Sequence, residues 1–141
     1  MLRVHDVSVR FDGVPAVAGA TLEVPDGAVL AVLGPSGSGK STLLRAIAGL
    51  EPTATGTVGW DDRDLTRVPT HRRGFALMFQ DGQLFPHLSV ARNVGYPLRL
   101  RRAKAVDGRV AELLDLVGLT GYADRLPATL SGGERQRVAL A

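Results

Sequence analysis

The sequence predicts an α/β fold, and three observations carry that prediction. Alternating apolar positions and turn signals fill the first half, and a helical texture takes over from Ser89. Within the first half, a continuous apolar run, Ala28 to Leu33, feeds a Gly/Ser loop that opens directly into the apolar helical stretch Thr42 to Leu50. The composition, 141 residues with 45% hydrophobic and 22% charged, suits one globular domain that buries roughly two thirds of its unfolded surface. Strand-rich and helical halves joined by βα elements define the class.

Taken in order, residues 2–11 alternate as a strand. The apolar phase switches from Leu2 and Val4 to Val7, Val9 and Phe11, which predicts a bulge near His5-Asp6. Asp12-Gly13 is a turn signal, and Ala20, Leu22 and Val24 alternate as a second strand stopped by Pro25-Asp26-Gly27. Ala28 to Leu33 reads as a strand covered on both faces. Gly56 to Trp60 is a further short strand, and a turn after it accounts for Asp61, Asp62 and Asp64 better than a metal site does. Phe75 to Phe79 reads as a second buried strand. Val106, Val110, Leu113, Leu114 and Val117 form a helical stripe ended by Gly118, and a last helix begins at Ser131.

Several function classes drop out. With no cysteine, thiolate nucleophiles, Zn–Cys sites and disulfides are excluded. The longest apolar run, Ala28 to Leu33, is far short of the ~20 residues that span a bilayer. The opening Met1-Leu2-Arg3-Val4-His5-Asp6 has no apolar secretory core, so a cytosolic setting is expected. The net charge of +3 is small, and only Arg99-Leu100-Arg101-Arg102-Ala103-Lys104 clusters. No aromatics interleave with that cluster, so it reads as a solvated helix face and no direct nucleic-acid partner is expected. His5, His71 and His87 share no spacing and receive no role.

Gly34-Pro35-Ser36-Gly37-Ser38-Gly39-Lys40-Ser41 matches G-x-x-x-x-G-K-[ST], with a strand expected before it and a helix after. Such a loop turns backbone N–H groups inward around phosphate oxygens, and glycine permits both the dihedrals and the close approach. The helix that follows adds its positive N-terminal end. Lys40 brings a compact charge to the outer phosphates, and the Ser41 hydroxyl sits where Mg²⁺ is ligated. The bland alternative is a Gly/Ser-rich surface turn. With 17 glycines, two lysines and 15 serines and threonines, chance gives about 0.003 matches in the chain. The loop reads as a nucleoside-triphosphate site.

Leu130-Ser131-Gly132-Gly133-Glu134-Arg135-Gln136-Arg137 is the second informative stretch. Ser131 with Glu134 three residues on is a capping box. That role leaves the two glycines in the first turn unexplained, each costing up to ~1 kcal/mol against alanine. Bare backbone at a helix N-terminus suits close contact with an anion.

Through these two stretches the sequence resembles the nucleotide-binding subunits of ATP-binding cassette (ABC) transporters, and the resemblance runs along the whole chain in the family's order. It implies a P-loop NTPase of the ABC type. That fold has an N-terminal antiparallel β part, a partial parallel core sheet and a helical subdomain, here ending after the signature helix begins. Residues 1–80 would be the β-rich part, 81–130 the helical subdomain, and 131–141 the signature with the start of its helix. Phe11 falls where the family stacks an aromatic on adenine. Gly34, Pro35, Ser36, Gly37, Ser38, Gly39, Lys40, Ser41 and Thr42 form the Walker A loop. Gln80 matches the glutamine that touches Mg²⁺ and the attacking water. Ser131, Gly132, Gly133 and Glu134 look like the signature residues that reach ATP bound by the opposite subunit. The resemblance thus names Lys40 and Gln80 as catalytic, Ser41 and Gln80 as metal ligands, and ATP with Mg²⁺ as cofactors. Asp81 to Val94 resembles the start of the subdomain that docks on the membrane partner, with Leu84, Phe85 and Pro86 as an exposed patch.

The family's Walker B Asp-Glu pair, a further aspartate loop and a switch histidine are not matched within these 141 residues. The resemblance therefore covers an N-terminal portion of a cassette, and this stretch alone is expected to hydrolyse no ATP. The implied function is an ATPase subunit that couples ATP binding and hydrolysis to solute transport. The stretch Phe85-Pro86-His87-Leu88-Ser89-Val90 and the Glu-Arg-Gln-Arg ending resemble importers for ions, polyamines or vitamins. Family membership implies a head-to-tail dimer with a second ATP-binding subunit, a transmembrane permease, and a peripheral place on the cytoplasmic face of the membrane. Two other readings stay open: a soluble ABC-type ATPase acting on DNA or ribosomes, and a non-catalytic nucleotide-binding fragment. No heptad run separates Lys40 from Ser131, which counts against the chromosome-maintenance members.

Overall fold

Residues 1–80 and 82–141 are described by the computed structural model; Asp81, the expected first residue of the helical subdomain, lies outside them. The chain divides into two units, Met1–Leu77 and Met78–Ala141.

The first unit is built on β1 (Leu2–Phe11), which pairs antiparallel with β2 (Val14–Val24) along one edge and with β3 (Thr55–Trp60) along the other. A two-residue strand, β4 (Arg63–Asp64), completes the order β2-β1-β3-β4. Asp12 and Gly13 join β1 to β2 with φ of 48° and 81°, the left-handed pair that two-residue hairpins favour. The expected bulge is present: the β1–β3 register runs to His5↔Thr57 and resumes at Ser8↔Thr55, with Asp6 at φ 49°. Its displaced backbone is satisfied by side chains. Asp6 N–H donates to Thr21 Oγ1 at 3.0 Å, and Thr55 Oγ1 donates to the Asp6 carbonyl at 3.3 Å. The extra residue lets Val4, Val7 and Val9 all point inward, at 1%, 0% and 1% exposure, although strict alternation would put Val7 and Val9 on the face opposite Val4. Gly56 lies opposite at φ +84°, and a Cβ there would run into the Asp6 and His5 carbonyls.

Helix α1 (Lys40–Ala48) buries Leu43, Ala46 and Ile47 with Val4, Val7, Val9, Val58 and Leu65. It stops at Gly49 in the left-handed region, where Gly49 N–H reaches Ala46 O at 3.0 Å and Leu50 N–H reaches Arg45 O at 2.8 Å. A short helix, α2 (Thr70–Arg73), brings Arg73 to the same end. Its guanidinium donates to Ile47 O (2.8 Å), Ala46 O (3.2 Å), Val68 O (2.7 Å) and Thr66 O (3.1 Å).

Two expected strands do not form among the described residues. Ala28 to Leu33 pairs with nothing and is exposed throughout, Val29 at 97% and Leu33 at 89%. An apolar run becomes a doubly covered strand only when neighbours take up its N–H and C=O groups, and the four strands of this sheet are paired to one another. Phe75 to Phe79 has no ladder either; Phe75 is half-buried by an edge-on contact with Trp60, ring centroids 5.6 Å apart. The sheet is antiparallel in every pairing, and the α/β class itself stands.

The second unit is helical: α3 (Val90–Val94), α4 (Tyr96–Leu100), α5 (Val106–Leu116), a 3₁₀ turn at Pro127–Thr129 and α6 (Gly132–Leu140). The predicted stripe on α5 buries Val110 and Leu114 against Val90, Val94, Leu119, Leu130 and Val138, with Val106, Leu113 and Val117 packed at the margin. The chain before the 3₁₀ turn also caps α3, whose Val90 and Ala91 N–H groups donate to Arg125 O and Ala123 O, each at 2.9 Å. The Asn93 side chain ties down the 85–89 segment, accepting from Phe85 N–H at 2.8 Å and donating to Leu88 O at 3.0 Å.

The Gly56 contact gives a direct test of the bulge. Gly56→Ala should destabilise the protein by about 2 kcal/mol or more, combining left-handed strain with displacement of the β1 backbone. Urea unfolding measures it, and a change within ~0.5 kcal/mol of the parent, the range of a neutral surface substitution, would refute this account.

Candidate functional site

The loop 34–39 runs into α1 through Gly39, which serves as N-cap at φ 85°, ψ 2° with no side-chain cap. A Cβ at Gly39 would strike the Ala16 carbonyl of β2, so the close approach of loop and strand requires glycine. The first turn of α1, Lys40-Ser41-Thr42, contains no acidic residue, and the positive end of the helix is uncompensated there. Lys40 lies along the inner curve of the loop. Its ammonium donates to Pro35 O at 2.7 Å, Gly34 O at 2.9 Å and Ser38 Oγ at 3.3 Å. A cleft of about 390 Å³ opens beside it, floored by Ala16, Val17 and Ala18 of β2 and walled by Gly34, Ser38 and Lys40. A helix N-terminus without an acid, a lysine inside the loop and an exposed Ser41 hydroxyl fit a phosphate group with a hard cation beside it.

The second candidate is the start of α6. Both halves of the capping box are made: Glu134 N–H donates to Ser131 Oγ at 3.3 Å, and Ser131 N–H donates to Glu134 Oε2 at 2.7 Å. The other carboxylate oxygen, Oε1, accepts from the Tyr122 hydroxyl at 2.9 Å. These bonds stabilise the ionised form. The Ser131 backbone first, then its side chain and Tyr122, pull the Glu134 carboxyl down to about 2. Ser131, Gly132 and Gly133 are exposed, so the bare first turn faces outward.

The remaining predicted residues lie as follows. Phe11 ends β1 beside the hairpin turn, 47% exposed, and the cleft at the loop is floored by β2 rather than by its ring. Gln80 is exposed in a turn of the second unit, where its backbone carbonyl accepts from Gln136 Nε2 at 2.7 Å. Leu84 is half-buried in the second unit's core, whereas Phe85 is 43% exposed and tilted against Tyr96 at 4.7 Å between ring centroids. Phe11 and the loop belong to Met1–Leu77; Gln80 and Ser131-Gly132-Gly133-Glu134 belong to Met78–Ala141. Sequence reasoning missed Tyr122 and Arg73. Neither stands in a motif, and only the folded chain brings each to its partner.

A glycine-rich loop that leads into the N-terminus of a core helix beside a sheet places the chain among the α/β proteins of the P-loop type. The ABC transporter family pattern matches residues 17–141, and the chain belongs to that family. It is 53% identical over its whole length to an Fe(3+) ions import ATP-binding protein of Streptomyces coelicolor, covering 41% of that protein. It is 45% identical over 99% of its length to a sulfate/thiosulfate import ATP-binding protein of Agrobacterium fabrum, covering 42% of it. The chain thus spans about two fifths of the length of these relatives. In three dimensions it is similar, with a TM-score of 0.89 and 29% identity, to an ATP-binding cassette solved as a dimer in a post-hydrolysis state with ADP and Pi. That match covers 99% of this chain and 67% of the other. Among the described residues no helix is long and apolar enough to cross a membrane.

The Glu134 bonds set a pH dependence with a definite sign. A carboxylate depressed by folding contributes stability that is present above its ordinary value of 4.5 and is lost as the pH falls toward about 2. A ¹³C carboxyl NMR titration should place the Glu134 midpoint well below the other glutamates. A midpoint at the ordinary value would mean that the capping box and the Tyr122 bond do not persist in solution.

Proposed function

We propose that this chain is the nucleotide-binding portion of an ABC importer's ATPase subunit, which binds ATP with Mg²⁺ through the loop 34–42. The observation that carries the reading is the placement of Lys40 and the acid-free first turn of α1 on one loop. A compact cation and a helix N-terminus converge there on a cleft large enough for a phosphate chain.

The residues divide the work by chemistry. Lys40 neutralises the outer phosphates, and the loop's backbone N–H groups hold the inner ones. Ser41 offers its hydroxyl oxygen to Mg²⁺. Gln80 would offer its amide oxygen to the cation and its amide N–H to a water. Phe11 presents an exposed ring at a strand end, which suits stacking on adenine. In a head-to-tail dimer, Ser131 and the bare backbone of Gly132 and Gly133 meet the phosphates held by the other subunit, with Glu134 fixed in the capping box behind them. Bound MgATP supplies the phosphoanhydride bond whose hydrolysis drives the transport cycle.

The relatives, which are import ATP-binding proteins, support a wider assembly. Residues 81–130 form the helical subdomain that grips a transmembrane permease, which places the subunit peripherally at the cytoplasmic face of the membrane. The relatives are named for a cation and for an anion, so this shared portion does not select the solute; the partner proteins do.

Two measurements test the reading. Lys40→Ala in the full-length protein should weaken binding of a fluorescent ATP analogue about fivefold to a hundredfold, the loss of a charge-assisted contact; unchanged affinity would sink it. Gly132→Asp should leave nucleotide binding to the monomer intact while abolishing dimerisation in the presence of a non-hydrolysable ATP analogue, followed by size-exclusion chromatography. If Gly132→Asp dimerises as the parent does, α6 begins with a capping box and nothing more.

A further inference from the structure

The Met78–Ala141 unit places a tyrosine where neither the helical pattern nor the capping box calls for one. Tyr122 lies between α5 and the 3₁₀ turn, half-buried against the unit's core, with its hydroxyl reaching Glu134 at the start of α6. The Arg125 guanidinium lies over its ring at 3.8 Å from the centroid, and Arg125 N–H donates to the Tyr122 carbonyl at 3.0 Å. The ring is therefore clamped between an apolar core and a cation, and its hydroxyl is held at one point.

What that hydroxyl holds is a carboxylate with a second task. Glu134 Oε1 accepts a hydrogen bond from the Tyr122 hydroxyl at 2.9 Å, while Oε2 accepts one from the Ser131 backbone N–H at 2.7 Å. A glutamate has three rotatable side-chain torsions and, exposed at a helix start, would sample several rotamers. Bonding at both oxygens selects one. Ser131 Oγ in turn spends a lone pair on the Glu134 N–H at 3.3 Å. With one lone pair committed to the helix, Ser131 keeps its O–H donor and a second lone pair, and the O–H suits a phosphate oxygen.

We propose that Tyr122 is a positioning residue for the Ser131-Gly132-Gly133-Glu134 turn, acting through Glu134 to hold Ser131 and the glycine backbone ready for the phosphates of a nucleotide bound by a second copy. This rests on the reading of that turn as the nucleotide contact of the head-to-tail dimer. Tyr122 itself touches no phosphate. Its effect is on the readiness of the turn, and it vanishes when Glu134 is removed.

The experiment is a double-mutant cycle in the full-length protein, with Tyr122→Phe, Glu134→Ala and the pair. The readouts are dimerisation driven by a non-hydrolysable ATP analogue with Mg²⁺ (analytical ultracentrifugation), binding of the same analogue to the monomer, and the melting temperature. Tyr122→Phe keeps the ring and the Arg125 contact. It should weaken nucleotide-driven dimerisation about fivefold to thirtyfold while monomer binding stays within about twofold. In the Glu134→Ala background it should change dimerisation no further. Dimerisation of Tyr122→Phe equal to the parent would overturn the proposal. So would an undiminished effect in the Glu134→Ala background, or a loss that tracks the fall in melting temperature across the variants, which would make Tyr122 a packing residue only. Gly132→Asp, run alongside, separates the two levels: if it too dimerises normally, the dimer reading has failed, and if it alone fails to dimerise, only the role of Tyr122 has.

Discussion

The Met1–Leu77 unit depends on β1 being paired along both edges. A strand in that position can shift register only if both neighbours shift with it, so the bulge at Asp6 is fixed from two sides at once. Thr21 on β2 and Thr55 on β3 each supply one hydrogen bond to the displaced peptide, and Gly56 gives up a side chain to make room. In return Val4, Val7 and Val9 enter one core, and that core is what Leu43, Ala46 and Ile47 of α1 pack against. The orientation of α1, and with it the place of Lys40, is thus settled by a one-residue irregularity more than thirty positions earlier in the chain.

Much of this was legible in the sequence because it is local. The phase change between Val4 and Val7 announces the bulge, the Asp12-Gly13 pair announces the hairpin, and Ser131 with Glu134 announces a cap that the structure makes in both directions. The helical stripe from Val106 to Val117 has the right period, and its most buried members are Val110 and Leu114. What was not legible is non-local. Ala28 to Leu33 has the composition of a buried strand, but a strand is defined by its partners' hydrogen bonds, and composition carries no information about who those partners are. Phe75 to Phe79 fails for the same reason. Tyr122 and Arg73 are the converse case: single polar side chains whose meaning comes wholly from groups distant in sequence, with no spacing to betray them.

The two helix starts near proposed phosphate contacts solve opposite problems. At α1 the N-cap is a glycine and the first turn has no acid, so the orphan N–H groups and the positive end stay available. At α6 the cap is occupied by Ser131 and Glu134, so two donors are satisfied internally and a negative charge stands beside the turn. The first arrangement suits gripping a highly charged anion continuously. The second suits a lighter contact, as proposed for a nucleotide held by a second copy.

Arg73 has a consequence that reaches the other end of α1. An isolated helix presents equal and opposite partial charges at its two ends, so the potential beyond its N-terminus is that of a dipole and is partly cancelled by the far end. Here the far end is covered by a guanidinium bonded to the Ala46 and Ile47 carbonyls. The cancelling pole is neutralised about 13 Å away, the length of a nine-residue helix. Seen from the loop, α1 then behaves less like a dipole and more like a monopole, whose attraction for an anion decays more slowly with distance. One half-buried arginine at the back of the helix extends the range over which its front is felt.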